Sequence, residues 1–236
     1  MTAPSRVLTA SRTLTAVKGK ALYFDGADNW VDCGSDSSLD ITNAITIEAW
    51  VKPALTSDYI GICEHVSGGP SNNRILIASD GRLLSQFSIG GNSDNFFSIS
   101  SVDDGQWNHI VYVYDGSNEL YHINGNYDSS DPESGSIATG NYALEIGRGH
   151  ETTYYFKGTI ALVRIYERAL SASEVLYNKE HPYNPILHGC VLWLGYDSID
   201  EGAGIWRDKS GYGNNGTIYG ATAVEMNKLA GRVLSV

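Results

Sequence analysis

The stretch Asp104 to Gly125, DGQWNHIVYVYDGSNELYHING, decides the fold. Two short runs rich in β-branched and aromatic residues, HIVYVY and ELYHI, flank Asp115 to Asn118, and Asn124-Gly125 ends the return run. Glycine and asparagine supply the backbone conformations that tight turns need, so the stretch predicts a β-hairpin with its tip at Asp115 to Asn118. The same grammar extends outward in both directions. ALYFDG (21–26), ITIEAWVKP (45–53), IGICEHV (60–66), RILIASDG (74–81), LLSQFSIGG (83–91), FFSISS (96–101), YALEIGRG (142–149) and GTIALVRIY (158–166) are further short strands, most of them closed by Gly or Asp-Gly.

Composition agrees with many strands and tight turns: 26 Gly and 15 Tyr stand against six Pro and two Met. A chain of 236 residues can bury a single large β core. The net charge of −11 disfavours a nucleic-acid partner. No apolar run approaches the ~20 residues of a membrane span, so membrane insertion is not expected, and residues 1–20 lack the apolar core of a secretory signal. Cys33, Cys63 and Cys190 fit no metal-ligand spacing and read as buried free thiols, with one disulfide involving Cys33 or Cys63 as the alternative.

Helical signal appears once. In LSASEVLYNKE, Ser171 and Glu174 form a capping box, which predicts about two helical turns after the last body strand. Pro182 and Pro185 then mark 181–187 as a linker.

ALYFDGADNWVDCG (21–34), ITIEAWVKP, the hairpin stretch, LEIGRG (144–149) and FKGTIALVRIYERALSASEV (156–175) together resemble the laminin-G-like, concanavalin A-like lectin/glucanase jelly roll, in that family's order. The resemblance covers roughly 21–180. It implies an all-β, two-sheet antiparallel jelly-roll sandwich with one short helix after the last body strand. It also implies a structural calcium held by Asp25 and by an acid early in the strand GTIALVRIY, but that second position is Ala161. The other reading of Asp25 is a turn former with Gly26.

The resemblance places Trp50 and Trp107 in the core and Trp30 at a customary aromatic position, so none of the three is a candidate ligand contact. The hydrolases of this sandwich carry Glu-x-Asp-x-x-Glu on one strand, and no such run exists here. Glu48 and Glu145 are solitary acids on apolar strands, outward-facing or hydrogen-bonded, and the chain is expected not to be an enzyme.

Sugar recognition needs exposed rings to stack on pyranose faces beside polar groups that bond hydroxyls. The residues offering this are Tyr59, His65, Asn72, Asn73 and Arg74; then Asp94, Asn95 and Phe96; then Arg148, His150, Tyr154 and Tyr155. Asn215-Gly216-Thr217 fits the glycosylation pattern, although a turn role for Asn-Gly is the preferred reading.

Four segments emerge: an extended arm at 1–20, the jelly-roll body at 21–180, the linker at 181–187, and 188–236. The last contains CVLWLGYDSIDEGAGIWRDKSGYGNNGTIYGATAV (190–224), which resembles the opening block of the same family, normally placed before the FDG strand. It is expected to complete the sandwich of its own or a neighbouring chain. Two functions follow as expectations. The first is a self-associating surface or virion structural protein, at the virion or an extracellular surface, partnered by its own copies through the arm or by other structural subunits. The alternative is a glycan-binding adhesion module, with glycoside hydrolysis ranked below both.

Overall fold

The computed structural model describes residues 19–54, 58–65, 73–140, 142–149 and 154–226. The arm lies almost wholly outside these residues, as do Asn72 and His150. Two layers of antiparallel strands enclose the main core. The first layer runs β10 (Asn126–Pro132), β9 (Asn118–Ile123), β8 (Asn108–Tyr114), β3 (Ile45–Pro53), β12 (Lys157–Tyr166). Two strands share the far edge of β12: β1 (Gly19–Asp25) pairs with its first half and β13 (Cys190–Asp200) with its second. β13 then passes into the second layer, which continues through β14 (Ile205–Asp208), β15 (Gly216–Tyr219), β2 (Trp30–Asp32), β11 (Leu144–Ile146), β4 (Ile60–His65), β5 (Asn73–Ile77), β6 (Arg82–Gln86) and β7 (Asn95–Ser101). β16 (Thr222–Met226) closes back onto β1, pairing Met226 with Gly19. Strands from the C-terminal block therefore flank both β1 and β2 within one chain.

The hairpin forms as the sequence implies. Asp115 Oδ1 accepts from the backbone amides of Ser117 and Asn118 at its tip. Asn124 (φ 53°) and Gly125 (φ 80°) supply the two successive positive φ values that a two-residue turn requires, and they lead into β10. The core holds Leu22, Phe24, Ile47, Ala49 and Ile160, with Phe87 stacked on Tyr112.

Strand β8 and most of β12 are buried on both faces. On β8 the residues facing the core are Ile110, Tyr112 and Tyr114, whereas Val111 and Val113 point to the other side and pack with Val175 of α1 (Ala172–Glu180). A β-bulge between Ile160 and Leu162 shifts the phase of β12, so Leu162 joins Trp50, Ala21 and Tyr196 on the outer face.

Helix α1 begins with the capping box: Ser171 Oγ accepts from the Glu174 amide, and Glu174 accepts from the Ser171 amide. Beneath it lies a buried polar network. Glu48 Oε1 accepts from Arg164 Nη1 and His109 Nε2, both at 2.9 Å, and Oε2 accepts from Asn178 Nδ2 at 2.9 Å. Arg164 also donates to the Pro182 carbonyl, and Asn178 Oδ1 accepts from the Ile186 amide, so one cluster ties β3, β8 and β12 to the helix and the linker. The three cysteines are buried and free.

Candidate functional site

The outward face of the second layer carries a row of residues held in register from strand to strand. Thr217 lies opposite Asp32, Asp32 opposite Glu145, Glu145 opposite Glu64, Glu64 opposite Arg74, Arg74 opposite Gln86, and Gln86 opposite Asn95. Two residues along the strands, Trp30 lies opposite Tyr219, and their rings stack with centroids 4.6 Å apart. The Arg148 guanidinium sits 3.4 Å from the Trp30 centroid while donating to both oxygens of Glu145, at 2.5 and 2.6 Å. Tyr219, Trp30 and Arg148 thus form a continuous stack, and Tyr219 stays 45% exposed at its outer end.

Two residues along from this stack, where β2 ends and β15 begins, Asp32 and Thr217 join Ser35, Asp36, Tyr212 and Asn215 among others in lining an open hollow of about 460 Å³. Its rim is built from hydrogen bonds. Asp208 Oδ2 accepts from the amides of Gly213 and Asn214 at 3.0 Å and from Ser210 Oγ at 2.7 Å, and Asn215 Oδ1 accepts from the Asp208 amide. Asn214 Nδ2 donates to Ser38 Oγ and to the Val191 carbonyl. On the core side of the same strands, Gly216 approaches Val31 so closely that a Cβ would come within 2.4 Å of its side chain. Gly216 accordingly serves close strand packing and lacks the positive φ of an Asn-Gly turn. A rim held this firmly loses little freedom when a ligand enters.

The residues singled out from the sequence fall into several places. Tyr59, Arg74 and Tyr154 come together further along the same face: the Tyr59 and Tyr154 rings are 5.8 Å apart, and Arg74 lies 5.7 Å from the Tyr154 centroid. Tyr155 is half-buried beside them in sequence. Asp94 and Asn95 are exposed at the edge strand, where Asn95 Oδ1 accepts from Gln86 Nε2. Three positions are structural. Phe96 is buried and stacks on Tyr121 at 4.9 Å, so its ring is closed to a ligand. Asn73 is buried, donating to the Ala138 carbonyl and accepting from the Ser88 amide. His65 is turned to the Tyr142 carbonyl, and burial lowers its pKa. Of the candidates, Arg148 belongs to the Trp30 stack. Trp30, set aside as a customary family aromatic, is only half-buried and central to that stack.

The acids are equally constrained. Glu48 and Glu64 are buried, and Glu145 is gripped by Arg148. Asp25 is exposed, and its Oδ1 accepts from the Ala27 amide around Gly26 (φ 84°). Ala161 brings a methyl into the apolar cluster around Trp50 where the resemblance expects a carboxylate, so the donor set does not fit the calcium site. Among the described residues, no group of three or more His, Cys, Asp or Glu is placed to hold a metal ion, and no helix is long and apolar enough to cross a membrane.

Two antiparallel layers with a ligand-sized hollow and a stacked aromatic group on one face define a lectin-like β-sandwich. Residues 25–176 match the laminin-G-like family of the concanavalin A-like lectin/glucanases superfamily, and the chain belongs to it. No curated protein sequence matches. Among solved structures, a candidate carbohydrate-binding protein from Bacteroides ovatus is similar with a TM-score of 0.71 at 19% identity, covering 89% of this chain. This chain spans 60% of that protein's length. The CBM40 module of a Ruminococcus gnavus sialidase, bound to α2,3-sialyllactose, gives a TM-score of 0.59 at 13% identity, covering 70% of this chain and 98% of that one. A heptameric pentraxin from Limulus polyphemus gives 0.52 at 16%, covering 68% and 82%. At these identities the likeness is one of fold.

Proposed function

We propose that the protein is a non-catalytic glycan-binding module whose ligand seats in the hollow between β2 and β15, against the exposed ring of Tyr219. The observation that carries this reading is the Tyr219–Trp30–Arg148 stack two residues along β15 and β2 from Thr217 and Asp32, which line a polar hollow with a hydrogen-bonded rim. A sugar presents an apolar face to a ring and hydroxyls to carboxylate, amide and hydroxyl groups, and this edge offers both. The sandwich neighbours that bind sugars favour this reading over a structural subunit of a virion or surface layer, and the fold likenesses lend self-association no support. Catalysis is disfavoured because Glu48, Glu64 and Glu145 are each buried or locked. The Asp25 turn, with Ala161 as its neighbour in the family pattern, supports binding that is independent of calcium.

The test is a glycan array followed by calorimetry on the full chain, with Tyr219→Ala and Trp30→Ala beside it. Tyr219 is exposed, so its truncation leaves the fold intact, and loss of one aromatic contact should weaken binding by roughly ten-fold. An array with no positive glycan, or a Tyr219→Ala protein that binds as tightly as the parent, rejects the reading. Addition of calcium or chelator should change neither the affinity nor the melting temperature.

A further inference from the structure

The lining of the hollow has a charge character that narrows its ligand. Asp32 and Asp36 are the ionisable acids on its wall, and among its described lining residues there is no Lys, Arg or His. The cations around it are already engaged. Arg148 donates to both oxygens of Glu145, Lys209 donates to both oxygens of Asp197 at 2.8 Å, and Arg207 donates to Asp200. Each acid spends one oxygen on its own backbone: Asp32 Oδ1 accepts from the Gly34 amide and Asp36 Oδ1 from the Ser38 amide. Among the described residues the other oxygen of Asp32 makes no hydrogen bond, and the exposed Asp36 carboxylate also meets the Ser38 hydroxyl. Hydroxyl groups are the natural donors to carboxylate oxygens, whereas an acidic sugar would meet two like charges with no counter-cation.

We propose that the hollow selects uncharged, hydroxyl-rich glycans and rejects sialylated, uronate-containing or sulfated ones, with Asp32 and Asp36 as the groups that set this preference. The inference rests on the glycan-binding reading and deepens it. A carboxylate that accepts from a sugar hydroxyl is a stronger partner than a neutral oxygen, and the same charge repels an anionic ligand. Tyr219 supplies affinity without regard to charge, so the two contributions separate experimentally.

The experiment measures binding of the full chain to pairs of glycans that share a backbone and differ by one sialyl, uronate or sulfate group, at constant pH and at two salt concentrations. The neutral member of each pair is expected to bind at least about ten-fold tighter, a difference of about 1.4 kcal/mol, and high salt should narrow the gap. In the double variant Asp32→Asn with Asp36→Asn, which keeps side-chain oxygens for the Gly34 and Ser38 amides, neutral binding should weaken and the gap should shrink. An anionic member that binds as well as or better than its neutral partner overturns this inference while leaving the glycan-binding reading intact. So does a double variant with an unchanged gap. Absence of binding to every glycan overturns both.

Discussion

Glu48 and Arg164, on neighbouring strands β3 and β12, meet at 2.9 Å with both side chains sealed from solvent. Burial alone would push the Glu48 carboxyl up, but the Arg164 charge, with His109 and Asn178 donating, overrides it and holds the group at about 2. Truncating one member strands the other charge in the interior. Glu48→Ala is therefore expected to destabilise the fold by about 3–5 kcal/mol, read as a lower urea midpoint at neutral pH. The group's folded value lies below its ordinary one, so its stabilisation is present above about pH 4.5 and is lost as the pH falls towards 2. An acid melt in which the parent and Glu48→Gln show the same pH dependence between 5 and 2 would contradict this assignment.

Glu119 titrates in the opposite sense. Its carboxyl is buried between the layers, accepting from Tyr112 Oη at 2.7 Å and Ser85 Oγ at 3.3 Å, and burial raises its pKa to about 7. A folded value above the ordinary one favours the protonated acid. Its stabilisation is present below about pH 4.5 and is lost as the pH rises through 7, amounting to roughly 3 kcal/mol at full ionisation. Glu119→Gln should flatten the fall in melting temperature between pH 5 and 8. A parent protein whose stability is constant over that range would show that Glu119 titrates normally.

The C-terminal strands supply core as well as edges. β13 and β14 bring Val191, Leu192, Leu194 and Trp206 into the main cluster, and Trp206 Nε1 donates to the Gly195 carbonyl. Ending the chain after Tyr183 removes all of them and exposes the edges of β1, β2 and β12. That protein should lose cooperative unfolding, and Trp206→Ala alone should cost about 3–5 kcal/mol. A truncated chain with the parent's melting transition would refute the role given to these strands.

At Gly61, a Cβ would come within 2.3 Å of the Arg148 carbonyl carbon and 2.4 Å of the Gly149 nitrogen. Both are backbone atoms, so Gly61→Ala must push the segment carrying Arg148 away from β4. The expected results are a loss of about 1–3 kcal/mol and weaker glycan binding through the disturbed Trp30 stack. Unaltered stability and affinity would show that the segment yields freely.

Burial pushes the Cys63 and Cys190 thiols up to about 12 and the Cys33 thiol higher still. A thiol reagent at pH 8 should label none of the three in the native state and all three in denaturant. Rapid native labelling would place at least one thiol at the surface.

Local signals carried most of the fold. ITIEAWVKP coincides with β3, and the capping box sets the start of α1, because turn chemistry and caps are written in neighbouring residues. β10 was harder to read: NYDSSDP is polar on both faces and ends in Pro132, as an edge strand tolerates. The two faces of β8 are not distinguishable in the sequence, because α1 buries its outer side too and so erases the polar alternation that marks inside from outside. The candidate site was the least legible part. Asp32, Tyr212 and Thr217 are unremarkable where they stand in the chain, and only the pairing of β15 with β2 gathers them. Trp30 reads only as a customary family aromatic because nothing local announces that Tyr219 will lie alongside it.

The union of β1 with β16 also governs when the molecule can exist. Gly19 pairs with Met226, so the first described strand waits, during synthesis, for nearly the last one. Contacts of such separation make folding slow, because a long loop must close before they contribute. Until β16 has emerged from the ribosome β1 keeps one bare edge, and until β15 has emerged so does β2, whose hollow then lacks a wall. A nascent chain halted before β15 should be protease-sensitive and prone to edge-to-edge association. Ligand recognition, on this ordering, is acquired only after β15 has joined β2.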